Sequence, residues 1–323
     1  MNKMEKINTK NTRLVKEYEE LVRLFEKTNK QSNFFKDLNI GNVTINENRI
    51  VNINKVKGLK LTSRVVNNKI KLMVEIYDNI TKPIHFCFGV LSKKYEQILD
   101  VIIRVRGGKS AKIIAHCFFP RSEGQVKHYM TGRFIIENNA SLEYIEEHYH
   151  HIGADVKLNL NIDIWDKAQY ITEFRLSSGH VGSIDIGLNA SLKDYSKMDT
   201  LIVISGDKND RIVTNERASL IGKFSKALIV TKMILKDRSS SYVYNEIIGK
   251  GDYSEGHIEC KEILFNNAKA KAIPIANVLN KNARITHEAA IGSVNKDVIE
   301  NLLSKGIEKK KAEQIIIKGL INS

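Results

Sequence analysis

The most constraining feature of this chain is a strict two-residue alternation that recurs over its whole middle. Val156, Leu158, Leu160, Ile162 and Ile164 alternate with Lys157, Asn159, Asn161 and Asp163. Such a period puts one face of a strand in a core and the other in water. From about residue 81 to 285 the texture is almost wholly β, and short near-copies recur within it. Asn139-Ala140-Ser141-Leu142, Asn189-Ala190-Ser191-Leu192 and Arg217-Ala218-Ser219-Leu220 are the closest. Gly153-Ala154-Asp155-Val156 and Asn282-Ala283-Arg284-Ile285 are looser. We read each as a corner followed by an apolar strand residue. Small residues at repeated corners suit coils that stack closely, as in a parallel β-helix (β-solenoid). An ordinary sandwich of short strands explains the same pattern.

Two helical stretches flank the β region. Residues 11–27 place Leu14, Tyr18, Leu21, Val22 and Phe25 at helical spacing, with Asn11 or Thr12 as a cap. That stripe reads as core or docking surface. Short strands follow over 40–80, among them Asn42–Ile45 and Ile70–Ile76. At the other end Asn295 caps an expected helix through Lys305, with Val298, Ile299, Leu302 and Leu303 on one side and Gly306 beyond its end. A second helix, about 308–318, carries Ala312, Ile315 and Ile316. Helices this short need tertiary packing, so this hairpin must lie on the β body or on a partner. The expected organisation is an N-terminal α/β region over 1–80, a β core over 81–288 and a helical hairpin over 289–323.

Composition narrows the function classes. A chain of 323 residues with 27% charged and 42% hydrophobic residues is an ordinary globular one. No apolar run approaches the ~18 residues of a membrane span. The opening residues Met1–Lys6 lack the apolar segment of a signal peptide. Cys87, Cys117 and Cys260 stand far apart, with neither a disulfide framework nor a CxxC zinc pattern. A cytoplasmic location with reduced thiols is expected. The net charge of +14 raises a basic nucleic-acid-binding solenoid as one reading. Against it, aromatics are only 7% and do not interleave with basic clusters. Gly107-Gly108-Lys109-Ser110 lacks the upstream glycine of a phosphate loop and reads as a hairpin turn, so the chain is not expected to hydrolyse ATP.

Metal-ligand chemistry concentrates near the C-terminus. Cys260, His287 and Glu288 supply a thiol, an imidazole and a carboxylate, all ligand types for a soft or borderline metal. In a regular strand His287 and Glu288 point to opposite faces. They serve one site only if the strand ends there or if the site lies across a subunit interface. A solitary metalloenzyme using all three around one ion is the competing reading. His148 and His150 share one strand face, about 6.6 Å apart, and read as solvated histidines. Cys87, His116 and Cys117, lying among Phe86, Phe118 and Phe119, read as core.

The segment 274–321 carries a longer pattern. Pro274-Ile275-Ala276-Asn277-Val278 leads to Ile285-Thr286-His287-Glu288-Ala289-Ala290-Ile291-Gly292, then Leu302-Leu303-Ser304-Lys305-Gly306-Ile307-Glu308, Ala312-Glu313 and Gly319-Leu320-Ile321. This order resembles the SufB/SufD family of iron–sulfur cluster assembly scaffolds. The match is fullest over 245–323. It is looser over 81–244, where His116–Pro120 and Arg238–Tyr242 are the better pieces. The resemblance implies a right-handed parallel β-helix with flanking helices. It implies a scaffold rather than an enzyme, carrying a transient iron–sulfur cluster at a dimer interface and passing it to apo-proteins. It implies a SufC-like ABC-type ATPase docked on the C-terminal helices, with ATP acting only through that partner. The SufB cysteine matches Cys260. The SufB Glu-His-Glu triplet appears here as Thr286-His287-Glu288, with the first Glu replaced. The SufD cysteine at the same turn is absent. The chain is therefore SufB-like at Cys260 and Glu288, while His287 fits both patterns. A homodimer, or pairing with a paralogous SufB or SufD chain, follows from that mixture, with His287 supplied from the opposite chain. The family's interior sulfur-accepting cysteine has no counterpart between Cys117 and Cys260.

Overall fold

The computed structural model describes residues 12–28, 33–176, 179–293, 296–308, 311–312, 315–316 and 319. Helix α1 spans Thr12–Thr28 and a single 3-10 turn lies at Asn33–Phe35. The first strands are β1 (Asn42–Asn46), β2 (Arg49–Asn54), β3 (Leu59–Val66), β4 (Lys69–Ile76), β5 (Ile84–Gly89) and β6 (Lys94–Val105). Then come β7 (Ser110–Phe119), β8 (Gln125–Ile136), β9 (Ser141–His150), β10 (Ala154–Ile164), β11 (Gln169–Leu176), β12 (Gly182–Leu192) and β13 (Lys197–Gly206). The last are β14 (Arg211–Leu220), β15 (Lys226–Leu235), β16 (Ser240–Gly249), β17 (Glu255–Leu264), β18 (Lys269–Val278) and β19 (Arg284–Ser293), followed by helix α2 (Lys296–Ser304).

From β5 on, successive strands alternate between two sheets, and each pairs in parallel with the strand two places on. This is a β-solenoid of about eight turns. Each turn of the later part takes 28 or 29 residues, as the pairs Val156/Ile184, Ile184/Ile212, Ile212/Ser241 and Ser241/Ala270 show. The alternation has its expected cause. Val156, Leu158, Leu160, Ile162 and Ile164 face the lumen between the sheets and are buried, while Lys157, Asn159 and Asn161 face water. The sandwich alternative fails because its strands would pair as antiparallel hairpins.

One row of corners in the later coils is built from non-glycine residues. Asn139, Lys167, Tyr195, Phe224 and Tyr253 recur at the coil period with φ of 59, 58, 58, 55 and 55°. The left-handed region is uncommon for such side chains. Here the neighbouring coil holds them there: the amides of Asn139, Lys167, Tyr195 and Phe224 donate to the carbonyls of Asp166, Asp194, Lys223 and Asp252. The near-copies at 189–192 and 217–220 are not corners. They are the last residues of β12 and β14 and lie directly against each other, Ala190 on Ala218 and Leu192 on Leu220. Both Ala side chains point inward and are buried.

The two ends of the solenoid differ. At the N-terminal end the strands before residue 81 belong to the same sheets, β1 beside β5 and β4 beside β6. There the outermost strands, β2 and β3, pair antiparallel to β1 and β4. Helix α1 lies across the outer face, where Leu21, Val22 and Phe25 pack with Phe34, Phe35, Cys87, Leu91 and Phe118. Gly89 permits that approach, since a Cβ there would sit 2.2 Å from Leu21 Cδ1. At the C-terminal end β18 and β19 are the outermost strands of their sheets, and Ile291, Val278 and Leu279 stay exposed.

Helix α2 ends as its glycine dictates. Gly306 has φ 76°. Its amide donates to Leu303 O at 2.9 Å and that of Ile307 to Leu302 O at 3.1 Å, the paired bonds of a Schellman motif. Val298 and Leu303 are exposed, Ile299 and Leu302 half-buried. Asn295 lies outside the described residues. Of the second helix expected over 308–318, only 308, 311–312 and 315–316 are described. Ala312 is buried there and donates its amide to Glu308 O at 2.9 Å, while Ile315 is exposed and Ile316 half-buried.

Candidate metal and cluster site

Cys260 lies on β17 with its side chain in the lumen, 1% exposed. It sits between Thr231 of β15 and Ala289 of β19 in the sheet. From the opposite sheet Asn245 Nδ2 donates to Cys260 Sγ at 3.4 Å and to Thr231 Oγ1 at 2.9 Å. Thr231 Oγ1 in turn donates to Glu216 at 3.0 Å, and Thr200 donates to the same carboxyl at 2.8 Å. Ser241 donates to Glu262 beside Cys260 on β17. The penultimate coils thus carry a polar seam through an otherwise apolar lumen. Burial pushes the Cys260 thiol up to about 12, with Glu216 and Glu262 adding to it. Burial also raises Glu262 and pushes Glu216 up to about 7. Asn245 Oδ1 and Glu262 Oε1 are buried with no hydrogen-bond partner.

β19 runs on regularly past residue 288 to Ser293, and its register sorts the other two candidates. His287 pairs with Ile258 and Glu288 with Glu259. Ile258 and Cys260 face the lumen, so His287 shares their face one coil further out. Glu288 falls on the outer face. Both are exposed. Cys260 and His287 are therefore brought to one face at the open end, and Glu288 is not brought to them within one chain.

The tightest clustering of metal-ligand groups among the described residues lies elsewhere, at Cys117, His128 and Glu146. Cys117 is core, as expected, and Cys87 is buried under α1. His148 and His150 do share a face, but it is the lumen face: both are buried, and burial pushes each down to about 3. The same cause takes His128 to about 3, with His148 contributing. His116 stacks on Phe34 and lies against His85 under α1. The Gly107–Lys109 stretch is not a hairpin turn but part of the corner by which the chain passes from β6 in one sheet to β7 in the other, with Gly108 at φ 68°. Sequence reading missed His128, Glu146, Glu216, Asn245 and Glu262. Their signal was present: each is a polar residue at an inward position of an alternating strand.

Fold and interior chemistry define a class: a parallel β-solenoid whose lumen holds thiol, imidazole and carboxylate groups near an unpaired end. A family model described as the SUF system FeS cluster assembly, SufBD core domain, matches residues 90–320. An iron–sulfur cluster assembly SufBD family protein of Methanocaldococcus jannaschii is 36% identical over 283 residues, 86% of this chain and 89% of the relative. One from Pyrococcus horikoshii is 32% identical over 312 residues, 95% and 94% of the two chains. The chain belongs to the SufBD family, and that membership supports a role in iron–sulfur cluster assembly.

Proposed function

We propose that this protein is the scaffold of a SUF-type assembly complex, building a nascent iron–sulfur cluster at its C-terminal end and passing it to apo-proteins. The cluster is cargo. The observation that carries the reading is the placement of Cys260 and His287 on the lumen face of the last two coils, beside bare strand edges. Exposed edges are templates for pairing. A second copy, or a paralogous SufB or SufD chain, pairing there contributes its own Cys260, His287 and Glu288. Glu288, on the outer face of its own chain, then acts at the interface rather than inside one protomer. Two cysteines per dimer hold a cluster less firmly than four thiolates would, which suits transfer. A solitary enzyme with all three residues on one ion is disfavoured, because Glu288 faces away from Cys260.

The buried, protonated Cys260 is a poor ligand until the end coil opens. A SufC-like ABC-type ATPase docked on the exposed side of the C-terminal helices, at residues such as Val298, Leu303 and Ile315, supplies that motion. The protein itself hydrolyses nothing and works in the cytoplasm. Orphaned acceptors at Asn245 and Glu262 fit a region that changes partners during the cycle.

Anaerobic reconstitution with iron and sulfide tests the site. Wild type is expected to gain charge-transfer absorbance and Cys260→Ser to lose it, with His287→Ala and Glu288→Ala impaired less completely. If Cys260→Ser binds as much iron and sulfide per dimer as wild type, the reading loses its centre. Deleting residues 295–323 is expected to abolish capture of the ATPase and leave the β body folded. Retained capture sinks the docking assignment.

A further inference from the structure

The cluster at the other end of the lumen has a geometry of its own. Cys117 on β7, His128 on β8 and Glu146 on β9 all point inward and are at most 4% exposed. Cys117 Sγ lies 3.6 Å from His128 Nε2 and 3.6 Å from Glu146 Oε1. All three ligand atoms fall within 4.8 Å of one another. Metal–sulfur and metal–nitrogen bonds of about 2.3 and 2.0 Å at a tetrahedral angle separate S and N by roughly 3.5 Å. The groups stand where one ion would hold them.

Their orientation is fixed from behind. The side-chain amide of Gln97 donates to Glu47 O at 2.6 Å and Gly89 O at 3.1 Å. Its oxygen is thereby turned to His128 Nδ1, 2.7 Å away. Nδ1 must carry the proton, so the Nε2 lone pair is presented to Cys117. Glu146 is held likewise, by Tyr144 Oη at 3.1 Å and His148 Nε2 at 2.7 Å. His148 Nδ1 lies 3.1 Å from His150 Nε2, and His150 Nδ1 donates to His180 O at 3.2 Å. An oriented imidazole and an anchored carboxylate are the outer support that metal ligands require.

We propose that the solenoid interior holds a resident divalent ion of the zinc class, Zn²⁺ or Fe²⁺, on Cys117, His128 and Glu146. The donor set of one sulfur, one nitrogen and one oxygen suits these ions. Binding displaces the Cys117 thiol proton and the Glu146 carboxyl proton that His148 Nε2 accepts, and the Tyr144 hydroxyl on the other carboxyl oxygen stays as the carboxylate's support. The dication, thiolate and carboxylate then sum to zero charge, and two protons leave. A neutral assembly avoids the large penalty of an uncompensated buried charge. Cys117 is five strand steps from Cys260 within its sheet, about 24 Å at ~4.8 Å per step. The site is thus separate from the cluster-building end and does not rest on that function.

The full chain, purified anaerobically without chelator, is assayed for zinc and iron by mass spectrometry. One equivalent per chain is expected in wild type and in Cys260→Ser, and whichever metal predominates identifies the ion. After stripping, Co²⁺ titration is expected to give a thiolate-to-cobalt absorption band. Cys117→Ser is expected to lose the band. Glu146→Gln keeps the volume and the Tyr144 contact, and is expected to weaken binding by at least the 10–100-fold seen when a supporting residue is lost. Substoichiometric metal with no cobalt band in folded wild type overturns the proposal, as does full occupancy in Glu146→Gln. Loss of cluster assembly in Cys260→Ser with metal retained leaves both sites standing. Unimpaired assembly in that variant sinks only the scaffold.

Discussion

The middle and the end of this solenoid use the same backbone and the same alternation, yet they leave their polar groups in different states. Around Cys117 the lumen is closed by coils on both sides, and every nitrogen of His128, His148 and His150 has a partner. Around Cys260 the last coil is half open, two buried acceptors lack partners, and the inward side chains His287 and Ile291 meet water. A coil stacked on both faces can pre-arrange ligands within one chain. A terminal coil leaves half of its site to whatever pairs with it. Closure, more than residue type, separates the two sets of groups.

The largest effect expected from this contrast comes from one truncation made at both places. Ile258 of β17 is wholly buried, whereas Ile291 of β19 is 45% exposed. Ile258→Ala should cost about 2–5 kcal/mol, as cavity-forming changes do. Ile291→Ala should cost the isolated chain no more than about 0.5 kcal/mol. Denaturant unfolding reads both. If the end coil is paired in a dimer, Ile291→Ala should raise the dimer dissociation constant in light scattering while leaving protomer stability alone. Equal losses at the two positions in monomeric protein would break the comparison.

What the sequence made legible follows the same division. Local patterns gave β10, α1 and α2, because alternation, helical spacing and the Gly306 stop act between near neighbours. The stacked fold and the family were legible too, through an ordered pattern over 274–321. The sealed site was not. His128 and Glu146 meet Cys117 only once the register puts Cys117 beside His148 and the second sheet is folded across the lumen. His148 and His150 read as solvated because their strand is rich in charge. Yet Leu142 and Tyr144 share their parity, and that parity is the inward one. The corners were hidden as well: Lys167, Tyr195 and Phe224 adopt left-handed φ without a glycine to announce it, since the coil below supplies the hydrogen bonds.

A smaller and pH-dependent effect is expected where the two regions meet, at Glu216. Its folded value, about 7, stands above the ordinary 4.5 because it is buried. The folded state therefore holds the proton more tightly than the unfolded chain does. The stability this contributes is complete below about pH 4.5, is lost as the pH rises to about 7, and stays lost above. The span corresponds to roughly 3 kcal/mol. Glu216→Gln keeps a neutral side chain at every pH. The variant should match wild type near pH 4.5 and exceed it by up to about 3 kcal/mol near pH 8, by urea unfolding. A gap that does not grow with pH would show that the carboxyl is not carrying the shift and that the lumen near Cys260 is wetter than its burial implies.

The smallest effect belongs to the corners, which run unchanged from the sealed middle toward the open end. Tyr195, Phe224 and Tyr253 stack on successive coils, with ring centroids 5.2 and 5.1 Å apart and planes within 13°. All three are more than 40% exposed, so their contribution is ring-on-ring contact rather than full burial. Each such pair is worth about 0.5–1.5 kcal/mol. Phe224 sits in two pairs and Tyr253 in one. Phe224→Ala should therefore cost about twice what Tyr253→Ala costs, and the two losses should not add, because they share the 224–253 contact. A double-mutant cycle by thermal or urea unfolding measures that shared term. Full additivity would mean that the stack merely follows the backbone, whose corner hydrogen bonds then set the coil spacing alone, at the middle and the end alike.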